Sequence, residues 1–300
     1  ELADRITVLR RGAVVGAHDG HTVTVSQLAR EMVGEDPTSF DGASDLVHLA
    51  LGDLAVPGPL TAQDRPVVCR LKGVYAPSPF AGEAALDGLD LTVRSGEVLG
   101  IAGVVGSGQT TLAEVLAGFT RPRKGQVDVT GEAIAYVPEN RHRDAVAMTL
   151  SLRDNLLLHG HRRPELQQGP WFNRSRVDEF VDDVLERSNV RHGGASAPIS
   201  TLSGGNQQRL VVGRELQESP CLVVAHNPFR GLDVRAIQDV KDALLSAAQE
   251  NAGVVMISPD LDELRQFAHR IVVLFAGRVV GEIDVDSDAE TVGRLLGGVA

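Results

Sequence analysis

The sequence predicts an α/β fold built on a parallel sheet, and three observations carry that reading. Short runs that are apolar at nearly every position, Val98–Ala102, Cys221–Ala225 and Val254–Ile257, read as strands buried on both faces. Segments with apolar residues at helical spacing lie between and beside them. A glycine-rich stretch, Gly103-Val104-Val105-Gly106-Ser107-Gly108-Gln109-Thr110-Thr111, directly follows the first run and opens a helix-like segment.

Taken in chain order, Val98–Ala102 is the strand that feeds the glycine stretch, and Thr110–Leu116 is the helix that leaves it. A second helix runs from Ser175 to about Ser188, with Val177, Phe180, Val181, Val184 and Leu185 on one face as core packing. Cys221–Ala225 follows as a strand. Val234–Ala248 is a helix with Ile237, Val240, Leu244 and Leu245 on its apolar face, and Asn251-Ala252-Gly253 stops it. Val254–Ile257 closes the set of buried strands.

Composition narrows the function classes. The 300 residues carry a net charge of -11, with 43% apolar and 23% charged residues, which is ordinary for a globular protein. The acidic balance argues against a nucleic-acid partner, which a basic stripe would attract. The two cysteines, Cys69 and Cys221, are far apart and lack metal-type spacing, as expected in a reducing compartment. Apolar runs are too short to span a bilayer, and no charged-then-apolar secretory segment opens the chain. Any work at a membrane is expected from the cytosol and through partners.

The two ends of the chain repeat one another. Ala3-Asp4-Arg5-Ile6-Thr7-Val8-Leu9 matches Ala268-His269-Arg270-Ile271-Val272-Val273-Leu274, and Gly12–Gly16 matches Gly277–Gly281. Ser26–Gly34 also resembles Glu290–Gly298. Similar residues recur in the same order in all three segments. Residues 1 to about 36 therefore read as the tail of a preceding copy of the same domain. Residues 37 to about 66, with Pro37, Pro57, Pro59 and Pro66, read as a linker, and residues 67–300 as the main domain.

The glycine stretch approaches the phosphate-loop pattern G-x-x-x-x-G-K-[ST], in which backbone N–H groups cradle phosphates and a lysine reaches them. Strand, loop and helix is the context that pattern requires. Gln109 occupies the lysine position and carries no charge. Downstream, Leu202-Ser203-Gly204-Gly205-Asn206-Gln207-Gln208 places two glycines after a serine at a helix start, where free N–H groups face an anion. Alone, such a triplet is as easily a helix cap.

The two motifs together, at this spacing, resemble those of the ATP-binding-cassette (ABC) ATPases, in the form used by bacterial sugar and nucleoside importers. Residues 1–36 are similar to the end of a first cassette and residues 67–300 to a second. The resemblance implies an ABC nucleotide-binding domain with a RecA-like parallel sheet core, an antiparallel β subdomain and an α-helical signature subdomain at about 150–218.

It also implies roles for residues that match the family's motifs. Gly103, Gly106, Ser107, Gly108, Gln109, Thr110 and Thr111 form the phosphate loop for ATP, and Thr110 is a weak Mg2+ ligand. Pro228-Phe229-Arg230-Gly231-Leu232-Asp233 falls where the family has P-T-x-G-L-D, so Asp233 matches the D-loop aspartate. Glu139, in Tyr136-Val137-Pro138-Glu139-Asn140-Arg141, falls at the Q-loop. Pro259 falls at the switch position after the last core strand. Phe80 lies where an aromatic stacks on adenine, with Tyr75 as a second candidate; either ring serves equally well as packing.

The departures from the family pattern cluster at one site. His226 replaces the magnesium-associated aspartate, and Asn227 replaces the glutamate that polarises the attacking water. An amide cannot act as general base. Pro259 replaces the switch histidine, and Glu139 replaces the Q-loop glutamine. A lost lysine contact alone is worth roughly 1.5–3 kcal/mol. The expectation is a loop that holds nucleotide weakly and does not hydrolyse it. Ser203, Gly204 and Gly205 are intact and, by resemblance, act in trans on ATP held by a partner cassette.

The resemblance further implies transmembrane permease subunits as partners, a periplasmic or lipoprotein solute-binding protein acting indirectly, and a peripheral place on the cytoplasmic face of the inner membrane. The stretches Pro138–Asp144 and Phe172–Arg191 look most similar to the purine-nucleoside and basic-membrane-protein type, with ribose and galactose importers close behind. Two other readings are a non-catalytic regulatory cassette and a soluble ABC protein of translation or repair. The latter usually carries intact catalytic residues or long inserted arms, neither of which is present here.

Overall fold

The computed structural model describes residues 3–10, 13–23, 27–28, 31, 65–161, 163–283, 287 and 289–298, and it divides into two units, residues 1–54 and 55–300. The first unit holds a hairpin of β1 (Arg5–Arg10) and β2 (Ala13–Asp19). The expected linker at 37–66 lies outside the described residues except for 65 and 66, as does the segment Ser26–Gly34 except for 27, 28 and 31.

The second unit begins with β3 (Val67–Ala76), β4 (Leu86–Arg94), β5 (Val98–Ala102), α1 (Gln109–Leu116), β6 (Lys124–Val129) and β7 (Ile134–Val137). Next come α2 (Arg141–Asp144), α3 (Leu152–Gly160), the short strands β8 (Gln167–Gln168) and β9 (Trp171–Phe172), α4 (Arg174–Arg187) and α5 (Gly204–Glu215). The chain then alternates β10 (Leu222–His226), α6 (Val234–Gln249), β11 (Gly253–Ile257) and α7 (Leu261–Phe267). It finishes with β12 (Arg270–Phe275), β13 (Arg278–Ile283) and α8 (Ala289–Leu296).

The central sheet has the order β13-β12-β5-β11-β10-β7, parallel except for the edge strand β13. Its inner strands are apolar through their middles because both faces are covered, with Arg270 and His226 at the ends of β12 and β10. Side chains alternate between those faces. Val223, Val254, Met256, Ile271 and Val273 pack with α3 to α7 on one side. Leu99, Ile101, Val224, Val255 and Val272 pack on the other with α1 and with the antiparallel sheet β4-β3-β6. The predicted α/β class is thus observed, together with the antiparallel β layer.

Each predicted helix is present, and polar caps explain where several begin. Ser151, Asn173, Ser203, Asp233 and Asp260 each accept a backbone N–H from the first turn of α3, α4, α5, α6 and α7, respectively. The boundaries differ from the sequence reading by one residue. α1 starts at Gln109, and β10 runs to His226 because His226 continues the pairing with Ile257. α6 stops where Asn251 turns left-handed at φ 75°, as Asn251-Ala252-Gly253 suggested.

The hairpins at the two ends share a register. In one, Val8 faces Gly16 and Leu9 faces Val14, with a shift between Val8 and Leu9. In the other, Val273 faces Gly281 and Leu274 faces Val279, with the shift between Val273 and Leu274. The matching irregularity falls at matching residues.

Candidate functional site

Strand β5 carries the chain into the glycine loop at the carboxyl end of the parallel sheet, where open α/β sheets present their ligand crevice. Gly106 and Gly108 take φ of 91° and 104°, a region that side chains with a Cβ avoid. The loop is held on two sides. Ala84 N–H donates to Gly106 O at 3.0 Å, and Gly277 N–H donates to Ser107 O at 2.8 Å. The glycines therefore set a turn that aims the first N–H groups of α1 outward.

Gln109 does not extend along that turn. Its amide is buried, and Nε2 donates to Gly103 O at 2.8 Å, closing the loop on itself. Thr111 is also turned inward, donating its hydroxyl to Ala84 O at 2.8 Å. The Glu83 carboxylate accepts the Gly108 N–H at 2.7 Å and the Thr110 N–H at 3.3 Å. Thr110 lines a cavity of about 230 Å3 beside Glu114, Glu139, Asp144, Arg143 and His226.

His226 ends β10 and is buried. Burial pulls its imidazole pKa down, with the Glu139 carboxylate opposing and Arg230 adding to the fall. Its Nε2 lies 4.0 Å from Glu139 Oε2. Glu139 is anchored on its other oxygen by Arg230 Nη1 at 2.5 Å. Asn227 follows in a left-handed turn at φ 48°, which asparagine tolerates better than most residues, and its N–H donates to Ile257 O.

The segment after β11, where the switch position is expected, is fixed by its own side chains. Ser258 donates its hydroxyl to Glu263 at 2.7 Å and accepts the Asp260 N–H, leaving Pro259 between them. Burial raises the Glu263 pKa, and the serine bond works against that rise. Phe80 is half exposed, and the Arg143 guanidinium lies 4.7 Å from its ring centroid. Arg143 is itself paired with Asp144 through two bonds. Tyr75 has Lys124 Nζ 6.0 Å from its ring.

Ser203, Gly204 and Gly205 lie at the start of α5. Ser203 Oγ accepts from Asn206, so the serine caps its own helix. A methyl group on Gly204 would lie 2.7 Å from Arg141 Nη2, so the guanidinium sits close against the helix start and would have to shift for any larger residue. Asp233 is spent on the cap of α6, accepting the Ala236 N–H at 2.9 Å.

The structure adds Glu83, Arg141, Arg143 and Arg230 to the residues found by motif. Arg230 lay inside a recognised motif, but its partner Glu139 is 91 residues away in sequence. Glu83 belongs to no motif. Among the described residues no group of three or more His, Cys, Asp or Glu side chains is placed to hold a metal ion. Both cysteines are free thiols, and burial pushes Cys69 up to about 12. No helix among the described residues is long and apolar enough to cross a membrane.

A glycine loop between a buried parallel strand and a helix, at the carboxyl end of the sheet, defines an α/β domain of the phosphate-loop class. Residues 86–230 match the ABC transporter family model, and this domain is a member of that family. Across the chain, 35% of residues are identical to a protein of Haloferax volcanii named glucose import ATP-binding protein TsgD13, over 99% of this chain and 54% of that one. The nucleoside import ATP-binding protein NupA of Lactococcus lactis is 30% identical over 95% of this chain and 56% of its own length. The ribose import ATP-binding protein RbsA 2 of Rubrobacter xylanophilus is 32% identical over 94% and 52%. The chain spans about half the length of these curated relatives. A dimeric bacterial ABC transporter cassette shares the fold, with a TM-score of 0.60 and 22% identity over 73% of this chain and all of that one.

Proposed function

We propose that this domain is the second cassette of an ATP-driven importer of a sugar or nucleoside. Its own phosphate loop is non-hydrolytic, and it lends the signature Ser203-Gly204-Gly205 to ATP held by a partner cassette. The observation that carries this reading is Gln109, buried and bonded to Gly103 O where the family pattern puts an outward lysine.

ATP with Mg2+ fits this loop poorly. The Gly108 and Thr110 N–H groups already meet a carboxylate, and the Thr111 hydroxyl meets Ala84 O. Thr110 faces a cavity in which Glu114, Glu139 and Asp144 outnumber Arg143. His226 offers no carboxylate for the metal, and Asn227, at the position of the family's general base, has no basic oxygen for water. What this loop's residues do is hold their own turn closed.

The signature supports the other half of the proposal. Ser203 keeps α5 capped, and Gly204 leaves the helix start open beside the Arg141 guanidinium. An oriented helix start with a nearby cation suits a phosphate of a partner-bound nucleotide. The matching hairpin registers at the two ends support a tandem arrangement, with residues 1–36 as the tail of a first cassette and 37–66 as the linker. Permease subunits, an indirect solute-binding protein and a peripheral place on the cytoplasmic membrane face follow from the same reading.

The test is ATP hydrolysis by the assembled pair of cassettes. Ser203→Arg abolishes it, whereas Thr110→Ala changes it little. Full activity with Ser203→Arg would rule out the role given to the signature, and appreciable hydrolysis by the 300-residue chain alone would overturn the non-hydrolytic reading.

A further inference from the structure

The segment between β3 and β4 is laced across the glycine loop. Ala84 N–H donates to Gly106 O at 3.0 Å, and Ala84 O accepts the Thr111 hydroxyl at 2.8 Å. These bonds fix the backbone beside Glu83. The glutamate carboxylate is thereby delivered to the start of α1, where Oε1 takes the Gly108 N–H at 2.7 Å and the Thr110 N–H at 3.3 Å. Among the described residues no Lys, Arg or His pairs with Glu83. Its charge is met by backbone N–H groups and by the positive end of the helix dipole.

These are the same groups that a phosphate loop offers to a nucleotide. A phosphate approaching them meets a negative charge already seated there. No lysine offsets that charge, because Gln109 is neutral and folded inward. The adjoining cavity adds Glu114, Glu139 and Asp144, and its one arginine, Arg143, is committed to Asp144.

We propose that Glu83 is the resident anion of this loop, an autoinhibitory contact that holds the phosphate cradle closed, so that a nucleotide enters only by displacing it. The proposal rests on the reading of this loop as a weak, non-hydrolytic site and supplies the cause of the weakness within the chain. It also gives the strap at residues 82–84 a function: the strap positions the carboxylate, and withdrawing the strap opens the cradle.

The experiment compares the wild-type 300-residue chain with Glu83→Gln in calorimetric binding of ADP and of inorganic pyrophosphate. The glutamine variant keeps the shape and removes the charge. It is expected to bind both probes about tenfold more tightly or better, because a charge-assisted occupant is lost and a repulsion relieved. Equal affinities overturn the Glu83 proposal, including the case in which neither protein binds detectably, and leave the weak-site reading standing. Tight binding with hydrolysis by the wild-type chain overturns the weak-site reading instead. If Glu83→Gln does not fold, amide exchange in the wild-type chain decides. Gly108 and Thr110 N–H groups are expected to be protected, and exchange as fast as that of the exposed Val105 overturns the contact.

Discussion

Arg230 Nη1 meets Glu139 Oε1 at 2.5 Å, tying the loop after β10 to the loop after β7 beside the cavity that Glu139, Thr110 and His226 line. Glu139 also lies within 4.0 Å of the buried His226. One carboxylate thus serves two basic groups, the Arg230 guanidinium and the His226 imidazole. Removing the arginine leaves that carboxylate to the histidine.

Arg230→Ala is therefore expected to raise the His226 pKa, since Arg230 lowers it and Glu139 raises it. Stability should change by less than about 1 kcal/mol, because Arg230 is largely exposed. Histidine resonances followed by NMR across pH give the readout. An unmoved His226 titration would mean that the two groups are not coupled.

The fold should weaken in mild acid. Burial lowers the pKa of both His226 and His269 in the folded chain. His269 Nδ1 also accepts the Val98 N–H, which requires an unprotonated nitrogen. Unfolded histidines take up protons near pH ~6.5, whereas the folded ones resist. The stability from this source is complete above that pH and declines as pH falls through the lowered folded values. Urea midpoints taken from about pH 7.5 down to about pH 5 should fall, and His269→Gln should flatten the slope.

Glu97→Ala should destabilise the junction between the two sheets by about 3 kcal/mol. Glu97 is fully buried; it pairs with Arg270 and accepts the Arg94 N–H at 2.7 Å. Arg270 in turn donates to Thr92 O in β4. Denaturant unfolding measures the loss. A double variant with Arg270→Ala should lose less than the sum of the two single losses, because each substitution removes the same pair.

Gln109→Lys should not create an ATPase. The substitution breaks the Gln109–Gly103 bond, at a cost of roughly 1 kcal/mol, and leaves Asn227 without a basic oxygen. Phosphate release by the chain should stay at background. A clear rise would show that the lysine was the sole defect and that the base position matters little here.

Much of the architecture was legible in the chain because it is encoded locally. Runs such as Val98–Ala102 and Val254–Ile257 are apolar at successive positions because both faces of a parallel strand are covered. The cap reading left open for Ser203 is observed, and Asp233, read only as part of a motif, also caps its helix. The repeat between the ends was legible as a residue pattern, and the pairing of Val8 with Gly16 and of Val273 with Gly281 gives it a shared register. The antiparallel layer was not legible from periodicity. β3 and β4 carry register shifts where Gly73 and Gly88 turn the chain, and their alternation is broken there.

By itself, the sequence determined which residues are present at the phosphate loop and which chemistry they lack: a glutamine cannot supply a cation, nor an asparagine a base. Those are properties of side chains and hold wherever the chain puts them. Only the tertiary structure decided where the groups point. Gln109 bends back to Gly103, Glu83 reaches the N–H groups of Gly108 and Thr110 from 25 and 27 residues away, and Glu139 is shared by Arg230 and His226. Such contacts follow from the packing of a strap and two loops against the end of one sheet, and no local pattern records them.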